Sequence, residues 1–280
     1  MKNTYLVPYL SAITDEQTET LISDVLQLYG YDFTGYSRAS LKRRLNRLYS
    51  LDRQVSFAEF RYKINNDSVY FKRFVEQITV NVTEMFRDPN FYKALRNKVL
   101  PSLGTYPFIR IWLAGCSTGE EAYSMAIVLQ ELNLLKKALI YATDINPTVL
   151  EKAAQGMFPL SQMKQYSENY IESGGTKDFS SYYSANYSLA KFNSELRDKM
   201  IFSTHNLVSD HSFNEFQLIL CRNVLIYFDR DLQYKVLQLF DGSLEKLGYL
   251  ALGTKETTDF SPISKRYVRL DTDKIWRKMV

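Results

Sequence analysis

The chain has 280 residues, enough for one large domain or two smaller ones, and its 45% hydrophobic content is normal for a globular fold. A net charge of +4 is too mild to imply nucleic acid by itself, and no apolar run is long enough to span a membrane. Cys116 and Cys221 are too few for a disulfide framework or a zinc site, so they read as buried, reduced thiols in a cytoplasmic protein, and no metal is expected.

The first residues, Met1-Lys2-Asn3-Thr4-Tyr5, lack the apolar core and cleavage site of a signal peptide. Residues 1–88 read as a helical domain and linker. Thr14 and Gln17 form a capping box for a helix ending near Gly30. Ser37 is placed to cap a second helix over 38 to about 50, and Ser56 with Glu59 a third. Val69, Phe71, Phe74, Val75 and Ile78 mark a fourth. Asp88-Pro89 reads as a cap followed by proline in the first turn of a helix running to about Leu103. From Ile109 strands and helices alternate, which predicts a parallel sheet within a domain over 89–280. The clear strands are 109–114, 139–143, 216–220 and 249–252, with a helix predicted over 230–247. A hairpin is predicted over 266–279, turning at Asp271-Thr272-Asp273. The stretch from about 157 to 200 departs from this alternation. Its tyrosine-rich part, residues 180–189, suggests short antiparallel strands inserted as a subdomain, used either for recognition or as a loop extension.

The most informative segment is Trp112-Leu113-Ala114-Gly115-Cys116-Ser117-Thr118-Gly119-Glu120-Glu121. A strand runs into a small-residue turn and then a helix, at the sheet edge where ligands bind in α/β folds. The second strand ends in Asp144, placed to take both hydroxyls of a ribose. The turn is neither Gly-x-Gly-x-x-Gly nor a Gly-Lys-Ser/Thr loop, which disfavours pyrophosphate and nucleoside triphosphate. Glu120 and Glu121 suit a ligand with cationic groups and no phosphate, and S-adenosylmethionine fits. Gly115-Cys116-Ser117-Thr118-Gly119 also matches a hydrolase nucleophile elbow, with Ser117 needing a later acid and histidine; only His205 and His211 exist. A tight turn binding nothing is the plainest alternative.

Arg38, Lys42, Arg43, Arg44 and Arg47 share a predicted helix whose buried stripe is Leu41, Leu45 and Leu48. The cationic face is either simply solvated or a docking surface for an acidic partner.

Taken in order, Asn81-Val82-Thr83-Glu84-Met85-Phe86-Arg87, the turn over 115–121 with Tyr123-Ser124, Asp144-Ile145, His205-Asn206-Leu207 and Cys221-Arg222-Asn223-Val224-Leu225-Ile226-Tyr227-Phe228 form a series. It resembles the CheR-type protein-glutamate O-methyltransferases of bacterial chemotaxis over nearly the whole chain. The resemblance implies an α/β fold. A class I methyltransferase (Rossmann-like) sheet would carry one antiparallel strand from the final hairpin, with an N-terminal all-α domain and a small inserted antiparallel β-subdomain. It implies methyl transfer from S-adenosylmethionine to glutamate carboxylates, leaving methyl esters and S-adenosylhomocysteine. Asn81, Thr83 and Arg87 match the segment that closes over the cofactor. Gly115 and Glu121 match contacts in the first loop, Asp144 the ribose acid, and Asn206 and Leu207 the adenine side. Arg222 and Asn223 match contacts near the methionine part, and Tyr227 an aromatic close to the methyl; Arg87 and Tyr227 are the candidate catalytic pair. The implied partner is an acidic helical region of a chemoreceptor or other signalling protein, docked on Arg38, Lys42, Arg43, Arg44 and Arg47. A monomer is expected, with no nucleic acid and no membrane insertion. The family often ends its fifth strand in Gly-His-Ser-Glu; this chain has Gly253-Thr254-Lys255-Glu256. The alternatives are a catalytically silent signalling module of the same fold and an RNA methyltransferase.

Overall fold

The computed structural model describes residues 12–270 and 273–280. Met1 to Tyr5, and Asp271 and Thr272 of the expected hairpin turn, lie outside the described residues. Two compact units divide between Val80 and Asn81, so the 81–88 segment belongs with the second unit.

The first unit holds α1 (Asp15–Tyr29), α2 (Arg38–Leu51), α3 (Phe57–Asn66) and α4 (Ser68–Ile78). Thr14 and Gln17 close the capping box, and Ser56 accepts from Glu59 N. Ser37 stands at the N-cap of α2 but makes no side-chain cap bond. Asp67 caps α4 instead of any residue singled out above, accepting from Val69 N and Tyr70 N. Leu21, Val25, Leu41, Leu45, Leu48, Phe60 and Phe74 are fully or nearly fully buried, forming this unit's own core. Each such side chain contributes about 1.5–3 kcal/mol when removed from water.

The second unit begins with α5 (Pro89–Ala94), a π turn over Leu95–Val99 and α6 (Leu100–Leu103). Pro101 explains the interruption of the single helix expected here, because it has no N–H to continue the ladder. There follow β1 (Ile109–Ala114), α7 (Glu120–Glu131), β2 (Ala138–Asp144) and α8 (Pro147–Gln155). Next come β3 (Met157–Pro159), α9 (Met163–Glu172), β4 (Tyr183–Asn186), β5 (Leu189–Phe192) and α10 (Ser194–Arg197). The chain ends with β6 (Met200–Thr204), β7 (Phe216–Cys221), α11 (Arg230–Ser243), β8 (Leu244–Leu252), β9 (Tyr267–Arg269) and β10 (Ile275–Lys278).

The main sheet has the order β6-β2-β1-β7-β8-β10-β9. Its pairs from β6 to β8 are parallel, and β10 runs antiparallel to both β8 and β9. A three-stranded antiparallel sheet, β3-β5-β4, forms the inserted part. β6 went unforeseen because it is an edge strand with a mostly exposed outer half, so its sequence lacks alternation. The helix predicted to 247 stops at Ser243, because Leu244 pairs with Phe216 across a register shift. Sheet pairing there overrides the helical propensity of Leu, Glu and Lys. Trp112 is completely buried on β1, surrounded by Phe213, Phe216, Phe240 and His205 with centroids 5.1–5.3 Å away, and its Nε1 donates to Thr143 Oγ1 at 2.8 Å. This packing fixes β1 against β2 and so fixes the edge at which both strands end.

Candidate functional site

Parallel pairing of β1 and β2 brings the Gly115 turn and Asp144 to one edge. Gly115 N and Cys116 N both donate to Thr143 O, at 2.8 and 2.9 Å. Gly115 has φ +84°, and a Cβ there would overlap Val224 Cγ2, so only glycine fits this close approach. Asp144 is 8% exposed and accepts from Ser117 N at 2.9 Å and Asn146 N at 3.0 Å. Burial pushes its carboxyl up, and backbone donors at Asn146, Ser117 and Ile145 oppose the rise. Beside it, Ser117 Oγ and Asn146 Nδ2 are buried without hydrogen-bond partners among the described residues. A carboxylate flanked by two unsatisfied polar groups suits a ligand with vicinal hydroxyls, as the ribose of S-adenosylmethionine has.

Only one of the two loop acids remains near such a ligand's path. Glu120 turns inward: its Oε2 accepts from Thr118 Oγ1 at 2.6 Å, and the hydroxyl of Tyr166 on α9 lies 3.5 Å from Oε1. Burial pushes its carboxyl up to about 7. The expectation that both acids face cationic groups is therefore corrected, because Thr118 and Tyr166 offer Glu120 partners away from solvent. Glu121 Oε1 accepts from Arg222 Nη1 at 2.9 Å.

Arg222 follows β7 and its side chain is 3% exposed. Nη2 donates to Asp88 Oδ2 at 2.6 Å and to Arg87 O at 3.0 Å, and the guanidinium lies 4.1 Å from the Phe91 ring centroid. Burial would lower its pKa, but Glu121, Tyr92 and Asp88 turn the shift upward, so it stays charged. Asp88 occupies the cap position of α5 with φ +59° but makes no side-chain cap bond. That corrects its reading as a cap: the charge-assisted bond to Arg222 outcompetes a backbone N–H. Phe86 also has φ +54°, and its N–H donates to the buried Ser124 Oγ at 3.0 Å. Asn169 Nδ2 on α9 holds Met85 O at 3.0 Å. Arg87 thus sits between two left-handed non-glycine residues, held from three directions, and its own Nη1 makes a long 3.5 Å contact to Val82 O. Strained backbone over-determined by its surroundings marks functional segments. Asn81 and Thr83 are half-buried in the same segment.

The loop after β6 joins this edge through His205 N, which donates to Asp144 O at 3.1 Å. Asn206 Oδ1 accepts from Val208 N at 3.0 Å, which makes it a turn former that keeps its Nδ2 as a donor; Leu207 follows, half-buried. Asn223 has φ +61°, and Tyr227 ends a short 3-10 turn, Leu225–Tyr227, half-buried. The hydrolase alternative fails here. Ser117 is buried with no partner for Oγ among the described residues, and His205 is buried with Nε2 spent on His211 O at 3.2 Å. Both cysteines are buried thiols with pKa pushed up by burial.

Gly115, Glu121, Asp144, Arg222 and Asn223 therefore gather at one sheet edge together with the Arg87 turn. What the sequence did not show is the roles of Asp88, Ser124 and Asn169, whose partners are 38 to 134 residues away.

In the helical unit, the cationic face of α2 is divided. Arg38 pairs with Glu19 at 2.8 Å and Lys42 with Asp15 at 2.6 Å, both partners on α1. Arg44 is half-buried, with Nε 3.5 Å from Ser40 Oγ. Arg43 and Arg47 are exposed one turn apart, and neither has an ion-pair partner among the described residues. Among the described residues no helix is long and apolar enough to cross a membrane.

The SAM-binding domain of CheR methyltransferases matches residues 81–272, and the CheR all-alpha domain matches residues 16–79. The chain is 46% identical to the Cher3 protein of Pseudomonas putida over 267 residues, which is 95% of this chain and 97% of that one. It is 33% identical to the chemotaxis protein methyltransferase of Listeria monocytogenes over 234 residues (81% and 84% of the two chains). With the Salmonella typhimurium chemotaxis protein methyltransferase the identity is 31% over 249 residues (85% and 83%). The chain belongs to the CheR family of S-adenosylmethionine-dependent methyltransferases.

Proposed function

We propose that this methyltransferase esterifies glutamate side chains in an acidic helical region of a chemoreceptor or similar signalling protein, acting in the cytoplasm as a monomer. The observation that carries the reading is the Arg87 turn, held against Glu121 by Arg222, with His205 buried and its Nε2 engaged by His211 O. A glutamate carboxylate with an ordinary pKa of about 4.3 is already ionised at neutral pH, so this acceptor needs no general base. The cofactor, when bound, supplies an electrophilic methyl on a sulfonium.

The chain's own residues then have defined tasks. Asp144, with Ser117 and Asn146 beside it, takes the ribose hydroxyls, and Asn206 and Leu207 take the adenine side. Gly115 provides a backbone wall, and Glu121 and Asn223 meet the amino-acid end. Arg222 is a positioning residue, since its guanidinium is spent on Glu121, Asp88 and the Arg87 carbonyl. Arg87 and Tyr227, with Asn81 and Thr83 on the approach, orient the incoming carboxylate and strip water from it. On the helical unit, Arg43 and Arg47 are the cations best placed to meet an acidic partner; Arg38, Lys42 and Arg44 shape the same face.

The test is transfer of labelled methyl groups into the cytoplasmic fragment of a chemoreceptor. Arg87→Ala should cut turnover at least about tenfold with little loss of fold stability. Arg43→Glu with Arg47→Glu should raise the KM for the fragment and leave S-adenosylhomocysteine binding intact. Base-stable label in the product, rather than base-labile ester, contradicts glutamate as the acceptor.

A further inference from the structure

We infer that Glu256 is a positioning residue for the methionine end of the cofactor site, acting through the loop that carries Asn223 and Tyr227. Its carboxylate is 4% exposed and sits beneath that loop. Oε2 accepts from Gly253 N at 2.5 Å and Asn223 N at 3.0 Å. Oε1 accepts from Val224 N at 2.9 Å and Ile226 N at 3.3 Å. Successive backbone N–H groups curled in this way form an anion-binding nest, and here the anion is the chain's own side chain. The nest spans the carboxyl ends of the adjacent strands β7 and β8, the edge where the site lies.

The geometry leaves little room for another solution. Asn223 adopts φ +61°, a left-handed conformation inside the nest. Tyr227 N donates to Val224 O at 3.1 Å, so the position of Val224 passes directly to Tyr227. A Cβ on Gly253 would lie 2.7 Å from Glu256 Oε2 and 2.8 Å from Asn223 N, so the strand end can approach only as glycine. Glu256 is itself anchored: its N–H donates to Gly253 O at 3.0 Å, and its carbonyl accepts from Lys274 Nζ at 2.9 Å. Glutamine in its place is isosteric but directs an NH2 group at two or more backbone donors, so the loop must move. The inference rests on the placement of Asn223 and Tyr227 near the amino-acid end of the cofactor.

That placement yields a ligand-dependent signature. The full chain with Glu256→Gln is titrated calorimetrically with S-adenosylhomocysteine and with 5′-methylthioadenosine, which lacks the amino-acid end. Gly253→Ala is measured alongside, because its Cβ crowds the same nest at Glu256 Oε2 and Asn223 N while leaving the carboxylate's charge in place. The expected result in either variant is loss of at least about tenfold in affinity for S-adenosylhomocysteine, with 5′-methylthioadenosine held within about twofold. Equal weakening of both ligands means a general structural role and overturns the inference, as does wild-type affinity for both. If wild-type protein fails to bind S-adenosylhomocysteine at all, the placement of the site itself is what fails.

Discussion

Replacing Glu120 by glutamine isolates the cost of burying an acid in the first turn of α7. Its carboxyl titrates near 7 against an ordinary 4.5, because burial outweighs the bonds from Thr118 and Tyr166. A carboxyl with a raised pKa is no burden while protonated, below its unfolded value. The burden grows as pH rises from 4.5 toward 7 and is complete above that. Wild type should therefore lose roughly 2–3 kcal/mol, relative to Glu120→Gln, between about pH 5 and about pH 8. Urea unfolding followed by tryptophan fluorescence measures it cleanly, since Trp112 and Trp276 both belong to the sheet unit. The other buried carboxyls with raised pKa, Asp144 and Glu256, remain in both proteins and cancel in the difference. Parallel stability profiles for the two proteins would show that Glu120 stays ionised at no cost, and the assignment of its burial to desolvation would be wrong.

Other predictions concern the loops around Asp144. Gly115→Ala forces a Cβ into Val224 at a positive φ, so S-adenosylhomocysteine affinity should fall at least about tenfold, with about 1–3 kcal/mol lost in stability; calorimetry and urea unfolding read the two effects. Arg222→Met leaves Glu121 facing the protein unpaired, while Asp88, more exposed, can recover water. It should cost about 3 kcal/mol and release the Arg87 turn, seen as faster amide exchange at Arg87 and Asp88.

Local chemistry made much of this molecule readable from sequence. Thr14 and Gln17 cap a helix through bonds three residues apart, and Leu41, Leu45 and Leu48 repeat at helical spacing. The turn after β1 and the acid that ends β2 stand at positions fixed by strand-helix alternation, so the sheet edge that carries the candidate site was legible in the sequence. What stayed hidden depends on distant partners. Asp88 looks like a cap until Arg222, 134 residues on, claims its carboxylate. Glu120 looks like a cofactor contact until Thr118 and Tyr166 draw it inward. Glu256 binds backbone amides 30 to 33 residues away, and backbone amides leave no trace in side-chain patterns. The first residues of β8 are strand because β7 pairs with them, against their local propensity, and β6 is an edge strand whose pairing with β2 leaves no clear alternation.

The most direct measurement is calorimetric titration of the purified protein with S-adenosylhomocysteine, beside Asp144→Ala. Micromolar binding by wild type that the substitution abolishes, with both proteins folded, is the predicted result. Binding of equal strength to the two would contradict the placement of the ribose on Asp144, and with it the site built around that strand end.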